Sequence, residues 1–354
     1  MPRPHSNSRV DRCGDLISFR QPLPKDPEEW NKAVDEELKV FFAWRDLHAF
    51  PLDSVAKTLI KRTRQIDPTA TFGQRLKRYR SIRDKLKNSP AMQLTTMQDI
   101  AGCRAVVDTV KNVYVLKHKY EDYAKAHPNT GPELISKWTK DYILHPKQDG
   151  YRSLHLVLKY RTSRSAHSHF CGLRVEIQIR SQLQHAWATA VETASAVTNQ
   201  ALKAGIGEED WKRFFRLMGD FIAWQEDSHL LSGTSDFDLR KQAASLAIKL
   251  KVVPLLEGMR HVVQDFKGSG KDELYLLILN SHERRIRYWS FKESEFTKAT
   301  EAYSAEEKAH RDNLDVHVVL VKVASIEDLR EAYPSYFLDS TNFVQQVKRL
   351  VSEG

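Results

Sequence analysis

Apolar positions along the chain change their period more than once. Trp30, Val34, Leu38 and Phe42 recur every four residues, the spacing of one helix face, and Asp26, Glu28 and Glu29 stand at the start, where the helix dipole favours acids. A second helix is predicted over about 52–66, just after Pro51. Between Ile100 and Arg180 the period drops to two. IAGCRAVV, YRSLHLVLKY and LRVEIQIR read as strands, and 111–127, between the first two, reads as a helix. Helical spacing returns from 181 to about 266, with Trp187, Trp211 and Trp224 expected inside. KGSGKDE (267–273) breaks that pattern as a linker. After it, ELYLLILN, RRIRYWSF, a helix near 294–309, LDVHVVLVKV and a last helix give a ββαβα order.

The expected organisation is therefore a flexible arm over 1–26, rich in Pro, Ser and Arg, then a domain over 27–200 that begins with helices. A helical connector over 201–266 and a small C-terminal α+β domain over 267–354 follow. GSGK invites a phosphate-loop reading, but the leading glycine is missing and Asp272 stands where the Mg²⁺-holding Ser or Thr belongs, so a linker explains it better.

Composition narrows the class. The 354 residues leave room for about two domains, with 41% hydrophobic and 29% charged residues as in ordinary globular chains. No apolar run approaches the roughly 20 residues of a membrane span. MPRPHSNSRVDRCGD has no apolar core behind its basic residues, so no secretory signal is expected. Cys13, Cys103 and Cys171 lie far apart and the histidines show no zinc spacing, which argues against a disulfide scaffold or structural zinc and for a cytoplasmic setting. The formal charge of +9 is unevenly spread. Residues 51–200 carry 25 Lys and Arg against 12 Asp and Glu, a net of +13, while both flanks are slightly negative. Such a local field suits a polyanionic ligand, and a solvated basic surface gives the same count.

Four clusters inside that block carry candidate chemistry. In Arg75-Leu-Lys77-Arg-Tyr-Arg-Ser81-Ile-Arg-Asp-Lys85, a continuous helix would align Lys77, Ser81 and Lys85 on one face, a ladder for phosphates with Arg75 beside it. Asp99 stands at the entry to the strand containing Arg104 and offers an oxygen ligand for Mg²⁺, or simply a turn. After Lys147 and Gly150, Tyr151, Ser153 and His155 share one strand face, opposite Leu154, Leu156 and Leu158. Glu176, Gln178 and Arg180 likewise alternate with Val175, Ile177 and Ile179. Alone, the first and fourth clusters also fit a solvated face, and in the third Tyr151 also fits the edge of a core and Gly150 a turn. The joint occurrence of the four clusters within about 105 residues, in this order, favours a site.

The segments RLKRYRSIRDK, DIAGCRAVV, KDYILHPKQDGYRSLH and VEIQIRSQLQHAWA resemble the synthetase domain of RelA/SpoT-type enzymes over roughly residues 50–200. The resemblance implies an α+β fold, a mixed β-sheet flanked by helices as in nucleotidyltransferases. It implies a GTP pyrophosphokinase moving pyrophosphate from ATP to the 3′-hydroxyl of GDP or GTP, with Mg²⁺ as cofactor. Arg75, Lys77, Ser81, Lys85 and Arg104 would then bind ATP, and Asp99 and Glu176 would ligate the metal, Glu176 also taking the proton of the attacking hydroxyl. Tyr151 would stack on the acceptor base, while Lys147, His155, Gln178 and Arg180 would position its ribose and phosphates.

Bifunctional members of that family carry a hydrolase with a His-Asp motif. No His-Asp dipeptide occurs here and the stretch before residue 50 is short, so a synthetase-only member is expected. The alternative is a toxin-like relative that pyrophosphorylates the 3′ end of tRNA under the control of its own C-terminal domain. The +13 block, the run Lys61-Arg62-Thr63-Arg64 and the appended domain keep it open. A regulatory role is expected for that domain, by self-inhibition or by sensing a protein partner, and a homo-oligomer is compatible with the resemblance.

Overall fold

The structure, a computed structural model, describes residues 3–20, 27–128, 131–198, 202, 207–231, 235–257, 263–265, 273–280, 282–283, 285–310, 313, 315–323 and 340–353. The predicted linker at 267–273 lies outside the described residues except for Glu273, and so does the side chain of Trp30.

Residues 7–17, expected within a loose arm, instead form helix α1 (Asn7–Ile17), capped by Ser6, whose hydroxyl accepts the Arg9 N–H. The reason is one apolar stripe that the polar composition masks: Val10, Cys13 and Ile17 are buried against Leu38, Phe41 and Trp44 of α2 (Pro27–Asp46). Helix α3 (Ala49–Arg64) holds Pro51 in its first turn, where a missing N–H costs no hydrogen bond.

A mixed six-stranded sheet follows, built from β1 (Thr71–Leu76), β2 (Ala101–Val107), β3 (Glu133–Leu134), β4 (Lys140–Asp141), β5 (Leu154–Lys159) and β6 (Arg174–Ser181). The order is β1-β2-β6-β5-β3, with β4 also paired to β5. Only β2 and β6 run parallel. Helix α4 (Tyr79–Asn88) links β1 to β2, and α5 (Val110–Ala126) follows β2. Leu154, Leu156, Val175, Ile177 and Ile179 bury one sheet face against α3 and α5, as the two-residue period requires.

Among the described residues, helices α6 (Gln182–Thr198), α7 (Glu209–Gln225), α8 (Asp236–Lys249) and α9 (Val252–Glu257) come next. Trp187 and Trp211 are buried among them. Trp224 is not: it is 40% exposed, stacked on Phe221 and covered by the Arg240 guanidinium, 4.2 Å from its ring.

The C-terminal sheet has the order β10-β8-β9-β7, from β7 (Val263–Asp265), β8 (Glu273–Asn280), β9 (Arg285–Lys292) and β10 (Val316–Val323), with helix α10 (Phe296–Ala309) packed on it. Helical structure therefore stops before 266, because residues 263–265 pair in parallel with β9. The last helix, α11 (Thr341–Glu353), buries Phe343, Val344, Val347 and Leu350 in the α6–α9 bundle. It thus closes the helical connector, although by chain order it belongs with 267–354. Among the described residues no helix is long and apolar enough to cross a membrane.

Candidate active site

Strand pairing gathers the polar clusters on the sheet face opposite the α3–α5 core. Arg75 on β1 pairs with Gly102 on β2, and Gly102 with Glu176 on β6. One step along, Gly73, Arg104, Gln178 and His155 lie in a row across β1, β2, β6 and β5. Arg75 and Glu176 are thus two strand spacings apart, about 10 Å. Gly102 between them contributes no side chain, which leaves that gap open.

One half of the face centres on Asp99. Lys77 Nζ donates to its Oδ2 at 2.7 Å and Lys85 Nζ to its Oδ1 at 2.8 Å. The sequence placed Lys77, Ser81 and Lys85 on one helix, but α4 begins only at Tyr79. Arg75 belongs to β1 and Lys77 to the turn after it, and Asp99 reunites the two ammonium groups. Ser81 sits one helical turn before Lys85 on α4. Burial alone would raise the Asp99 carboxyl, yet the two ammonium groups hold it well below the usual carboxylate range. Burial also lowers Lys77, partly offset by Asp99.

The other half is a hydrogen-bonded network. His155 Nδ1 lies 3.0 Å from Glu176 Oε1, and its Nε2 lies 2.7 Å from the Tyr151 hydroxyl. Gln178 Nε2 donates to Glu176 Oε2 at 2.8 Å, and Arg180 Nη2 donates to Gln178 Oε1 and to the Tyr151 oxygen at 2.9 and 2.8 Å. Burial opposes the charge on His155, but Tyr151 and Glu176 lift it to about 8. Glu176, which burial would raise, is brought below its ordinary value by His155. Exposed Lys147 rests 4.9 Å from the rings of both Tyr142 and Tyr151. It also borders a groove of about 620 Å³ whose wall includes Trp187, Lys212 and Arg216.

Lys77, Lys85 and Asp99 therefore meet in one half, and Tyr151, His155, Glu176, Gln178 and Arg180 in the other with Lys147 beside it. Arg75 and Arg104 lie in the strand rows that cross the face, and Ser81 is placed by its position on α4. The run Lys61–Arg64 is a different case. Arg62 covers the rings of Tyr120 and Tyr123 at 4.6 and 4.3 Å, and Arg64 that of Phe72 at 5.8 Å, so two of its charges lie over aromatic neighbours.

Sequence reasoning missed the support behind Tyr151. Arg152 is buried, donating to the Gly150 carbonyl at 2.9 Å, to Asp220 at 2.7 Å and to the His229 carbonyl at 3.0 Å. Gly150 has a φ of +93° and lies so close to α7 that a Cβ there would meet Arg216 Cα and the Phe215 carbonyl at 3.0 Å. The overlooked signal was an acid inside the apolar run of α7, Leu-Met-Gly-Asp220-Phe-Ile-Ala.

Asp99 and Glu176 bring two carboxylates to this face, their oxygens engaged by Lys77 and Lys85 and by His155 and Gln178. Among the described residues no three His, Cys, Asp or Glu side chains converge as a metal site. Two ionised carboxylates suit a hard ion such as Mg²⁺, which keeps waters and takes phosphate oxygens from its substrate.

A family profile described as "Region found in RelA / SpoT proteins" matches residues 74–198, the segment that holds this face. The GTP pyrophosphokinase YjbM of Bacillus subtilis is 30% identical over 175 residues, covering 49% of this chain and 68% of that protein. The GTP pyrophosphokinase YwaC of the same organism is 31% identical over 129 residues, 35% of this chain and 56% of that one. The chain belongs to the RelA/SpoT family. Among solved structures, small alarmone synthetase 1 from Bacillus subtilis, bound to its product pppGpp, aligns at a TM-score of 0.40 and 23% identity, over 52% of this chain and 93% of that one.

Proposed function

We propose that the chain is a pyrophosphokinase that transfers the β,γ-pyrophosphate of ATP to the 3′-hydroxyl of GDP or GTP, forming ppGpp or pppGpp. The observation that carries this reading is the placement of Glu176. Its strand position lies between a basic cluster suited to phosphates and an aromatic, hydrogen-bonding cluster suited to a nucleoside.

In this reading Arg75, Lys77, Ser81, Lys85 and Arg104 hold the triphosphate, displacing the lysines from Asp99. Tyr151 stacks on the acceptor base, and Lys147, His155, Gln178 and Arg180 fix its ribose and phosphates. The 3′-oxygen attacks the β-phosphorus, forming the new O–P bond. The bond from that phosphorus to the α-phosphate oxygen breaks, AMP leaves, and the hydroxyl proton passes to the Glu176 carboxylate, held ionised by His155. Asp99 and Glu176 would hold Mg²⁺, which when bound neutralises charge developing on the phosphates. In-line placement supplies the rest of the rate.

We further propose synthesis without hydrolysis, in the cytoplasm where both nucleotides are made. The test uses the purified full chain with Mg²⁺ and γ-labelled ATP, offered GDP, GTP or bulk tRNA separately. Label on guanine nucleotide is expected, reduced at least about a hundredfold by Glu176→Gln. Label on tRNA alone would replace the acceptor by RNA, and that activity should then fall steeply with salt. Pyrophosphate released from added ppGpp would overturn the synthetase-only reading.

A further inference from the structure

We propose that Glu307, on helix α10 of the C-terminal unit, is a positioning residue for the ATP site. It caps the start of α4, the helix that carries Ser81 and Lys85. The inference rests on the reading of that helix as part of the donor site.

The first turn of a helix leaves its N–H groups without partners, and a side chain at the N-cap ordinarily satisfies one of them. Arg78, the N-cap residue of α4, makes no such bond. The Tyr79 N–H donates instead to Glu307 Oε1 at 2.6 Å, from 228 residues further along the chain. The other carboxylate oxygen of Glu307 pairs with Arg45 of α2, whose side chain is 0% exposed and whose guanidinium lies between the rings of Phe42 and Tyr303 at 4.7 and 4.5 Å. Arg78 is held as well, its guanidinium donating to His317 Nδ1 on β10 at 2.7 Å. The C-terminal unit thus grips two consecutive residues, 78 and 79, where the chain leaves Lys77 and enters the helix.

What this grip fixes is the spacing of Lys77 and Lys85 about Asp99. Lys77 precedes the helix and Lys85 is inside it, so their relative placement depends on where α4 begins and how it is tilted. Local sequence does not set that start, since Arg78 supplies no cap. Glu307 does. The contact holds and does not block. Among the described residues the N–H groups of Arg80 and Ser81 have no protein acceptor, so the cap consumes one donor and leaves the next two for a ligand. A C-terminal unit released by a partner would therefore loosen ATP binding before acceptor binding.

The test is made in the full-length chain. Arg45→Leu/Glu307→Leu replaces the buried pair by apolar groups and removes the cap without leaving either partner's charge buried alone; Asp46, which Arg45 also contacts at 3.4 Å, keeps 31% of its side chain exposed to solvent. Glu307→Gln keeps an oxygen near Tyr79. Lys308→Ala, whose Nζ reaches Asp35 at 3.1 Å on the exposed side of the same interface, controls for loss of an ordinary contact. Binding of a non-hydrolysable ATP analogue and KM for ATP and for acceptor are measured, with Lys77→Ala in parallel. The double variant should weaken ATP about fivefold, the size of a lost cap, with acceptor KM unchanged, and Glu307→Gln should fall between it and wild type. Lys308→Ala should match wild type. Unchanged ATP binding in both Glu307 variants overturns the proposal, and tighter ATP binding makes the contact an occluding one. If Lys77→Ala abolishes ATP binding while the Glu307 variants do not, only this inference fails. If Lys77→Ala also leaves ATP binding intact, the donor-site reading itself is wrong.

Discussion

Arg152 and Asp220 form an ion pair at 2.7 Å, with side chains only 2% and 0% exposed, that fastens the segment carrying Tyr151 to helix α7. The pair does more than bridge two elements. Asp220 also accepts the Leu231 N–H at 2.9 Å, and Arg152 also holds the Gly150 carbonyl, so removing either partner strands several buried groups. Asp220→Ala should cost about 3–5 kcal/mol in urea unfolding and weaken the acceptor more than ATP. Asp220→Asn, which still accepts a hydrogen bond, should cost less. Equal losses for both substitutions would remove the charge from the explanation.

Two glycines make opposite predictions. A Cβ at Gly219 would lie 2.6 Å from the Gly150 carbonyl oxygen, backbone that cannot step aside, so Gly219→Ala should destabilise by about 1–3 kcal/mol. A Cβ at Gly102 meets only the Glu176 carbonyl oxygen at 4.0 Å. Gly102→Leu should therefore keep a near-native melting temperature while filling the gap between Arg75 and Glu176, and turnover should collapse. A fully active Gly102→Leu enzyme would show that the substrates do not cross that gap.

Lys77 and Lys85 share the Asp99 carboxylate, one on each oxygen. Asp99→Asn should lower turnover at least about a hundredfold and raise the Mg²⁺ concentration needed for half-maximal rate, since one hard oxygen charge is lost. A Mg²⁺ titration of the variant checks this. An unshifted midpoint would take Asp99 out of metal binding.

Acceptor binding should depend on pH through His155. Its imidazolium is stabilised in the fold, with a pKa of about 8 against an ordinary value near 6.5. A raised value means that the stabilising charge is fully present below about pH 6.5 and is lost as pH rises through 8. Acceptor KM should therefore climb above pH 8 while ATP KM changes less, and His155→Gln should flatten the profile. A wild-type profile flat from pH 6.5 to 9 would rule His155 out as the titrating group.

The sequence by itself determined which face each strand shows. A period of two in Leu154–Lys159 and Arg174–Ser181 separates the apolar core from Glu176, Gln178, Arg180 and His155, and no tertiary contact is needed to read it. It also carried the family resemblance, because the motifs lie in short contiguous segments. The tertiary structure decided what long-range pairing alone can decide. The order β1-β2-β6-β5 sets Arg75, Gly102 and Glu176 abreast. Glu307 accepts the Tyr79 N–H at the start of α4, and Arg152, next to Tyr151, pairs with an acid 68 residues further on, on α7. Helix α1 was hidden in a polar segment because its stripe has meaning only against α2, and α11 left the C-terminal unit because its apolar face fits the α6–α9 bundle. Periodicity reports the faces that local backbone geometry creates. Which faces meet is settled by burial between residues far apart in the chain, where no spacing rule applies.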